Sequence, residues 1–142
     1  MESRISTTRM QVAFGDCDPA QIVYYPNYFT WFDNGTHRLF EEVGAPWREI
    51  DMRLGVNAPI VDVQSRFSSP ASWGDEIEIQ SEVTCWGSRS FTVTHRIVHA
   101  EGGVAIAEGS EARVCVRRDP SIPGKITACE IPAEIRTAFG VD

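Results

Sequence analysis

No stretch of this 142-residue chain approaches the roughly 20 consecutive apolar residues of a membrane-spanning helix. Basic residues are scarce as well. Thirteen lysines and arginines stand against 20 aspartates and glutamates, a formal net charge of −7, which argues against nucleic-acid binding because phosphates need a basic surface. The four cysteines, Cys17, Cys85, Cys115 and Cys129, form no C-x-x-C pair and read as reduced thiols. Three of them lie in strand-like stretches, where a free cysteine behaves as a small hydrophobe. Histidine is rare, and His95 and His99 fall on a predicted strand, where a spacing of four puts them about 13 Å apart, so no metal site is expected. There is no G-x-S-x-G elbow and no glycine-rich phosphate loop. Met1 to Arg9 lack the apolar stretch of a secretory signal. A cytoplasmic protein with a single domain over residues 1–142 is the expectation.

What the chain does have is a change of period. "RMQVAF" alternates, with Met10, Val12 and Phe14 on one face of a predicted strand. From Pro26 the apolar positions Tyr28, Phe32, Gly35, Leu39 and Val43 recur every three or four residues, the stripe of a long helix. Pro26 suits its first turn and Gly44 the residue past its end. Gly35 costs about 1 kcal/mol against alanine in mid-helix, so its place on the stripe predicts close approach to a sheet. "APWREIDMRLG" reads as a second short helix.

Beyond Asn57 the pattern is strand. "PIVDVQSRF" alternates Val61, Val63 and Phe67, and "EIEIQSEVTCW" alternates Ile77, Ile79, Val83 and Cys85. "SFTVTHRIVH" follows with Phe91, Val93, His95 and Ile97, then a long "VAIAEGSEARVCVRR" in which Gly109 suggests a bulge. A short "ITAC" and a terminal helical turn close the chain. The order predicts an α+β domain in which an antiparallel sheet of about five or six strands covers one long central helix. Its other face and its edges favour a homo-oligomer.

Chemistry concentrates in "FGDCDPAQIVYYPNYFTWFD", Phe14 to Asp33. As a strand, this segment would put Asp16 and Asp18 on one face, about 7 Å apart. As a loop, Asp-Cys-Asp-Pro is good turn chemistry, with aspartates bonding nearby backbone N–H groups. Cys17 between two acids is a poor nucleophile, because negative neighbours disfavour the thiolate. The helix opening at Tyr25–Pro26 leaves backbone N–H groups without intrahelical partners, a site for a developing oxyanion. An acid a few residues upstream is placed to attack or to act as base. Tyr24, Tyr25, Tyr28 and Trp31 read as core or as pocket walls. Asp33, at the edge of the stripe, reads as a hydrogen-bonding support or a surface residue.

That segment closely resembles the signature of the 4-hydroxybenzoyl-CoA thioesterase family, within the hotdog-fold acyl-CoA thioesterases, and the order of elements matches over nearly the whole chain. The resemblance implies a hotdog fold and hydrolysis of an aromatic acyl-CoA without metal or redox cofactor. It assigns Asp18 as nucleophile or general base and the Tyr25 N–H as the group polarising the carbonyl. Gln21, Tyr24 and Tyr28 fall to the acyl pocket and Arg89, in "CWGSRSF", to the nucleotide phosphates. The expected assembly is a dimer of dimers. Two departures stand out: Gln21 replaces the glycine usual in the family, and Gly87 and Ser88 thin a normally more basic turn, with Arg117, Arg118 or Lys125 as substitutes. A hotdog hydratase or dehydratase is the first rival, although that chemistry wants a histidine beside an acid and the motif has none before His37. A non-catalytic acyl-CoA binding module is the second.

Overall fold

The computed structural model describes residues 4–142. Eight strands and three helices follow in the order β1 (Ile5–Gln11), α1 (Pro26–Glu42), α2 (Trp47–Leu54), β2 (Val56–Asn57), β3 (Ile60–Phe67), β4 (Glu76–Trp86), β5 (Ser90–His99), β6 (Ala105–Val114), β7 (Val116–Arg118), β8 (Ile126–Ala128) and α3 (Ala133–Phe139). Five strands form an antiparallel sheet in the order β1-β4-β5-β6-β3, and β2-β7-β8 form a small second sheet. Helix α1 packs across β1, β4 and β5. This is the sheet-and-central-helix arrangement that the change of period predicts.

The stripe on α1 is buried as expected. Phe32, Leu39 and Phe40 are fully enclosed, and Gly35 lies against the sheet. A Cβ at Gly35 would overlap Ser81 Oγ and crowd Ile79 and His95, so glycine there lets helix and sheet touch. Pro26 occupies the first turn of α1, with Tyr25 as its cap. Around the C-terminal half of α1, Phe40, Trp47, Phe91 and Ile135 make one apolar cluster, and around its N-terminal half Val12, Val23, Tyr28, Phe32 and Ile77 make another.

Five local readings need correction. Strand β1 ends at Gln11, and Phe14 starts a 3₁₀ turn with its ring exposed rather than inward. Strand β3 has no buried residue on either side, because it is an edge strand beyond the cover of α1. A register shift between Val83 and Cys85 rotates the end of β4, so Cys85 is exposed and not part of the core. The long last strand divides at Cys115, where the chain leaves the main sheet for the small one. Finally, pairing runs unbroken through Gly109. It is glycine because a Cβ would overlap the Gln64 carbonyl and the Phe32 ring, not because the strand bulges.

Candidate active site

The acidic segment is a loop and not a strand. Its Phe14–Asp16 turn is closed by the Asp16 side chain, whose Oδ2 accepts the Ala13 N–H at 2.8 Å. The Asp16 carbonyl accepts both the Tyr24 N–H and the Asn27 side-chain amide, each at 2.8 Å. Asp16 therefore fastens the loop to the start of α1, as turn chemistry predicts. Cys17 and Val23 then make an isolated antiparallel bridge, and the chain reverses between Asp18 and Ile22. The Asp18 N–H donates to the Ile22 carbonyl at 3.0 Å, and the Gln21 N–H donates to the Asp18 carbonyl at 2.8 Å.

Asp18 stands at the mouth of this reversal, half-buried. Its Oδ1 accepts the Ala20 N–H at 2.8 Å, while Oδ2 has no protein partner among the described residues. One oxygen fixes the carboxylate and the other is left to react. Asp16 likewise has one carboxylate oxygen without a partner among the described residues, but it does not line the hollow into which Asp18 opens.

The start of α1 supplies a matching donor. The Asn27 N–H turns back to the Tyr24 carbonyl at 3.0 Å and the Tyr28 N–H to the Tyr25 carbonyl at 3.1 Å. Pro26 has no N–H. The Tyr25 N–H makes no hydrogen bond among the described residues and sits at the positive end of a 17-residue helix. It is a free, fixed donor suited to an oxyanion.

Hollows flank the loop. One, of about 730 Å³, is lined by Phe14, Cys17, Asp18, Gln21 and Trp73. Another, of about 460 Å³, is lined by Ile22, Tyr25, Tyr28 and Phe67. Phe14 and Trp73 meet edge to face at 5.3 Å, and Phe67 touches Tyr25, Tyr28 and Phe29. Both hollows thus offer aromatic walls to an apolar acyl group. Tyr24 and Tyr25 are exposed, whereas Tyr28 is buried and shows one side to the second hollow. Burial pushes the Tyr28 phenol up to about 12, so it stays protonated and is no base.

Arg89 is exposed on the turn between β4 and β5. Strand β4 runs from Glu76, beside the acidic loop, to Trp86, three residues before Arg89. Its 11 residues span about 33 Å at 3.3 Å each. Within one protomer the structure does not bring Arg89 to Asp18. Of the substitutes, Arg118 is paired with Asp51 at 2.6 Å, and Arg117 and Lys125 are exposed. Arg136 donates to the Gly87 carbonyl, placing a cation under the Arg89 turn that sequence reasoning missed.

A buried polar chain under α1 was also missed as a unit. His95 Nε2 lies 3.1 Å from Glu111 Oε1, and its Nδ1 lies 2.8 Å from Ser81 Oγ. The Thr36 hydroxyl donates to Glu111 Oε1 at 2.5 Å. Arg113 grips the same carboxylate through Nε and Nη2 at 3.2 and 3.1 Å, and donates to Asp33 at 2.5 Å. Phe32 stacks on the His95 ring at 4.6 Å. Burial alone would raise the Glu111 carboxyl, but the His95 hydrogen bond and the Arg113 charge outweigh it and hold it at about 2. The signal was present in sequence: His95 shares the inward phase of β5 with Phe91, Val93 and Ile97, and Glu111 and Arg113 share that of β6. Asp33, read as a hydrogen-bonding support or a surface residue, is both: it accepts from Arg113 while much of its side chain stays exposed.

A family model described as the thioesterase-like superfamily matches residues 12–139, which takes in the acidic loop, α1 and strands β3 to β6 of the main sheet. The chain belongs to the thioesterase-like superfamily. A 4-hydroxybenzoyl-CoA thioesterase of Pseudomonas sp. (strain CBS-3) is 32% identical over 137 residues, 93% of this chain and 95% of that protein. The crystal structure of a mutant 4-hydroxybenzoyl-CoA thioesterase complexed with 4-hydroxybenzoyl-CoA has a TM-score of 0.87 and 31% identity, over 96% of this chain and 99% of that one. A gentisyl-coenzyme A thioesterase structure gives 0.81 and 31%, over 92% and 99%. The fold of this thioesterase is therefore the hotdog fold expected from its motif, and the chain is an enzyme that hydrolyses acyl-CoA thioesters. No described helix of the thioesterase is long and apolar enough to cross a membrane.

Proposed function

We propose that this enzyme hydrolyses an aromatic acyl-CoA, of the benzoyl or hydroxybenzoyl type, to the free acid and CoA. The observation that carries the reading is an Asp18 carboxylate with an uncommitted oxygen and, seven residues on at the start of α1, a Tyr25 N–H, both without a partner among the described residues. In the proposed mechanism the Tyr25 N–H binds the thioester oxygen. Asp18 attacks the carbonyl carbon, the C–S bond breaks, and CoA leaves as the thiolate. Water then opens the resulting anhydride, restoring the Asp18 carboxylate and releasing the acid. Asp18 acting as general base on water is the alternative. The aromatic walls of the two hollows support a planar acyl group. So do the relatives named for 4-hydroxybenzoyl- and gentisyl-CoA.

The reading takes the enzyme to be a cytoplasmic homo-oligomer, a dimer of dimers, with CoA phosphates meeting Arg89 of a second copy. Two features support the second copy. Arg89 is about a full strand length from Asp18 in its own protomer, and the edge strand β3 leaves Val61, Val63 and Phe67 uncovered. The test is a panel of aromatic, short-chain and long-chain acyl-CoAs with thiol detection of released CoA. Preferential release from the aromatic members is expected. Release from aliphatic members alone overturns the substrate class, binding without release leaves a non-catalytic module, and hydration of an enoyl-CoA without CoA release leaves a hydratase.

A further inference from the structure

Among the described residues seven glycines take positive φ, and Gln21, at 68°, is the lone other residue to do so. The backbone explains the angle. The Gln21 N–H closes onto the Asp18 carbonyl, and Ile22 accepts from the Asp18 N–H, so the chain reverses within five residues. Glycine makes that reversal freely, whereas any β-carbon works against it. The Gln21 side chain is therefore not there for the turn. Nor does it hold the fold, for it is exposed and its carboxamide makes no hydrogen bond among the described residues. It lines the same hollow as Asp18, together with Phe14 and Trp73. A strained residue with an idle polar side chain beside the reacting group is where function is to be sought.

We infer that Gln21 is a specificity-determining residue, its carboxamide hydrogen-bonding a hydroxyl on the acyl ring at the position next to the thioester carbonyl. The inference rests on the aromatic acyl-CoA reading above. Reach selects that position. The Gln21–Asp18 turn bond holds their Cα atoms within about 7 Å, so of the ring positions the one next to the carbon that Asp18 addresses is the nearest to the amide. Charge selects the substituent. Asp16, Asp18 and Asp75 make this end of the molecule acidic, which disfavours a carboxylate, whereas a neutral amide both donates to and accepts from a hydroxyl.

The test compares kcat/KM of wild type, Gln21→Leu and Gln21→Gly on benzoyl-CoA, 2-hydroxybenzoyl-CoA and 4-hydroxybenzoyl-CoA. In both variants the ratio of 2-hydroxybenzoyl to benzoyl turnover should fall about tenfold, because a pocket group that paired with a hydroxyl is gone. The ratio of 4-hydroxybenzoyl to benzoyl turnover should move less than twofold. Gln21→Gly also relieves the left-handed strain and should melt a few degrees higher, so it carries the test if Gln21→Leu does not fold. An unchanged 2-hydroxy ratio, or an equal loss on all three substrates, overturns the inference while leaving the aromatic reading intact. A wild-type enzyme that hydrolyses none of the three defeats the aromatic reading itself, and this inference with it.

Discussion

Replacing Glu111 with glutamine removes the charge at the centre of the buried chain with little change of shape. In the native protein that carboxylate accepts from Thr36, His95 and Arg113 and is fully enclosed. A carboxyl held at about 2 against an ordinary 4.5 contributes about 3 kcal/mol at neutral pH, at about 1.4 kcal/mol per pKa unit. The loss from breaking a buried ion pair is of the same order, about 3–5 kcal/mol. The folded value is the lower one, so between the two values the unfolded chain binds the extra proton. The contribution is complete above about pH 5 and disappears as the pH falls through 4.5 toward 2; at pH 3 about half remains. Urea unfolding followed by the fluorescence of the four tryptophans, at one protein concentration, measures it. Glu111→Gln should be about 3 kcal/mol less stable than wild type at pH 7, and the gap should halve at pH 3. A loss below about 1 kcal/mol, or a gap of equal size at both pH values, would refute the assignment of the buried charge pair.

Gly35→Ala gains about 1 kcal/mol of helix propensity but forces Ser81 away from His95 and overpacks the helix–sheet contact. A net loss of about 1–2 kcal/mol is expected in thermal unfolding, and a gain would mean that the sheet yields. Arg89→Ala should raise KM for an acyl-CoA more than it lowers kcat, with little effect on a short thioester lacking the nucleotide; equal damage on both places Arg89 outside the phosphate site. Rapid quenching of a single turnover, with chemistry shown to outrun hydrolysis, should trap an acyl adduct on Asp18. Its absence under those conditions leaves the general-base route.

The sequence was most legible where one physical cause acts alone. The α1 stripe needed only helix period, and both Pro26 at its start and Gly35 at its contact followed from backbone constraints. The acidic loop was half legible. Turn chemistry identified what Asp16 does, but only the folded loop shows that Asp18, and not Asp16, lines a hollow. Local period failed where neighbours decide. Strand β3 alternates like a half-buried strand yet lies at an edge, and the end of β4 loses phase at a register shift set by its partner β5. The His95–Glu111–Arg113 chain was visible as inward-facing polar positions, but their meeting depends on the pairing of β5 with β6, which no single strand encodes.

The central claim is that Asp18 performs the chemistry, and it is tested most directly by measuring substrate binding and CoA release together in Asp18→Asn. Asparagine keeps the side chain's shape and its oxygen for the Ala20 N–H while removing the charge. An aromatic acyl-CoA should bind the variant by calorimetry with nearly wild-type affinity, and CoA release should fall by at least about 10³-fold, a scale typical of a lost catalytic group. Asp16→Asn should release CoA far faster than Asp18→Asn. Near wild-type turnover in Asp18→Asn, with binding intact, would contradict the account.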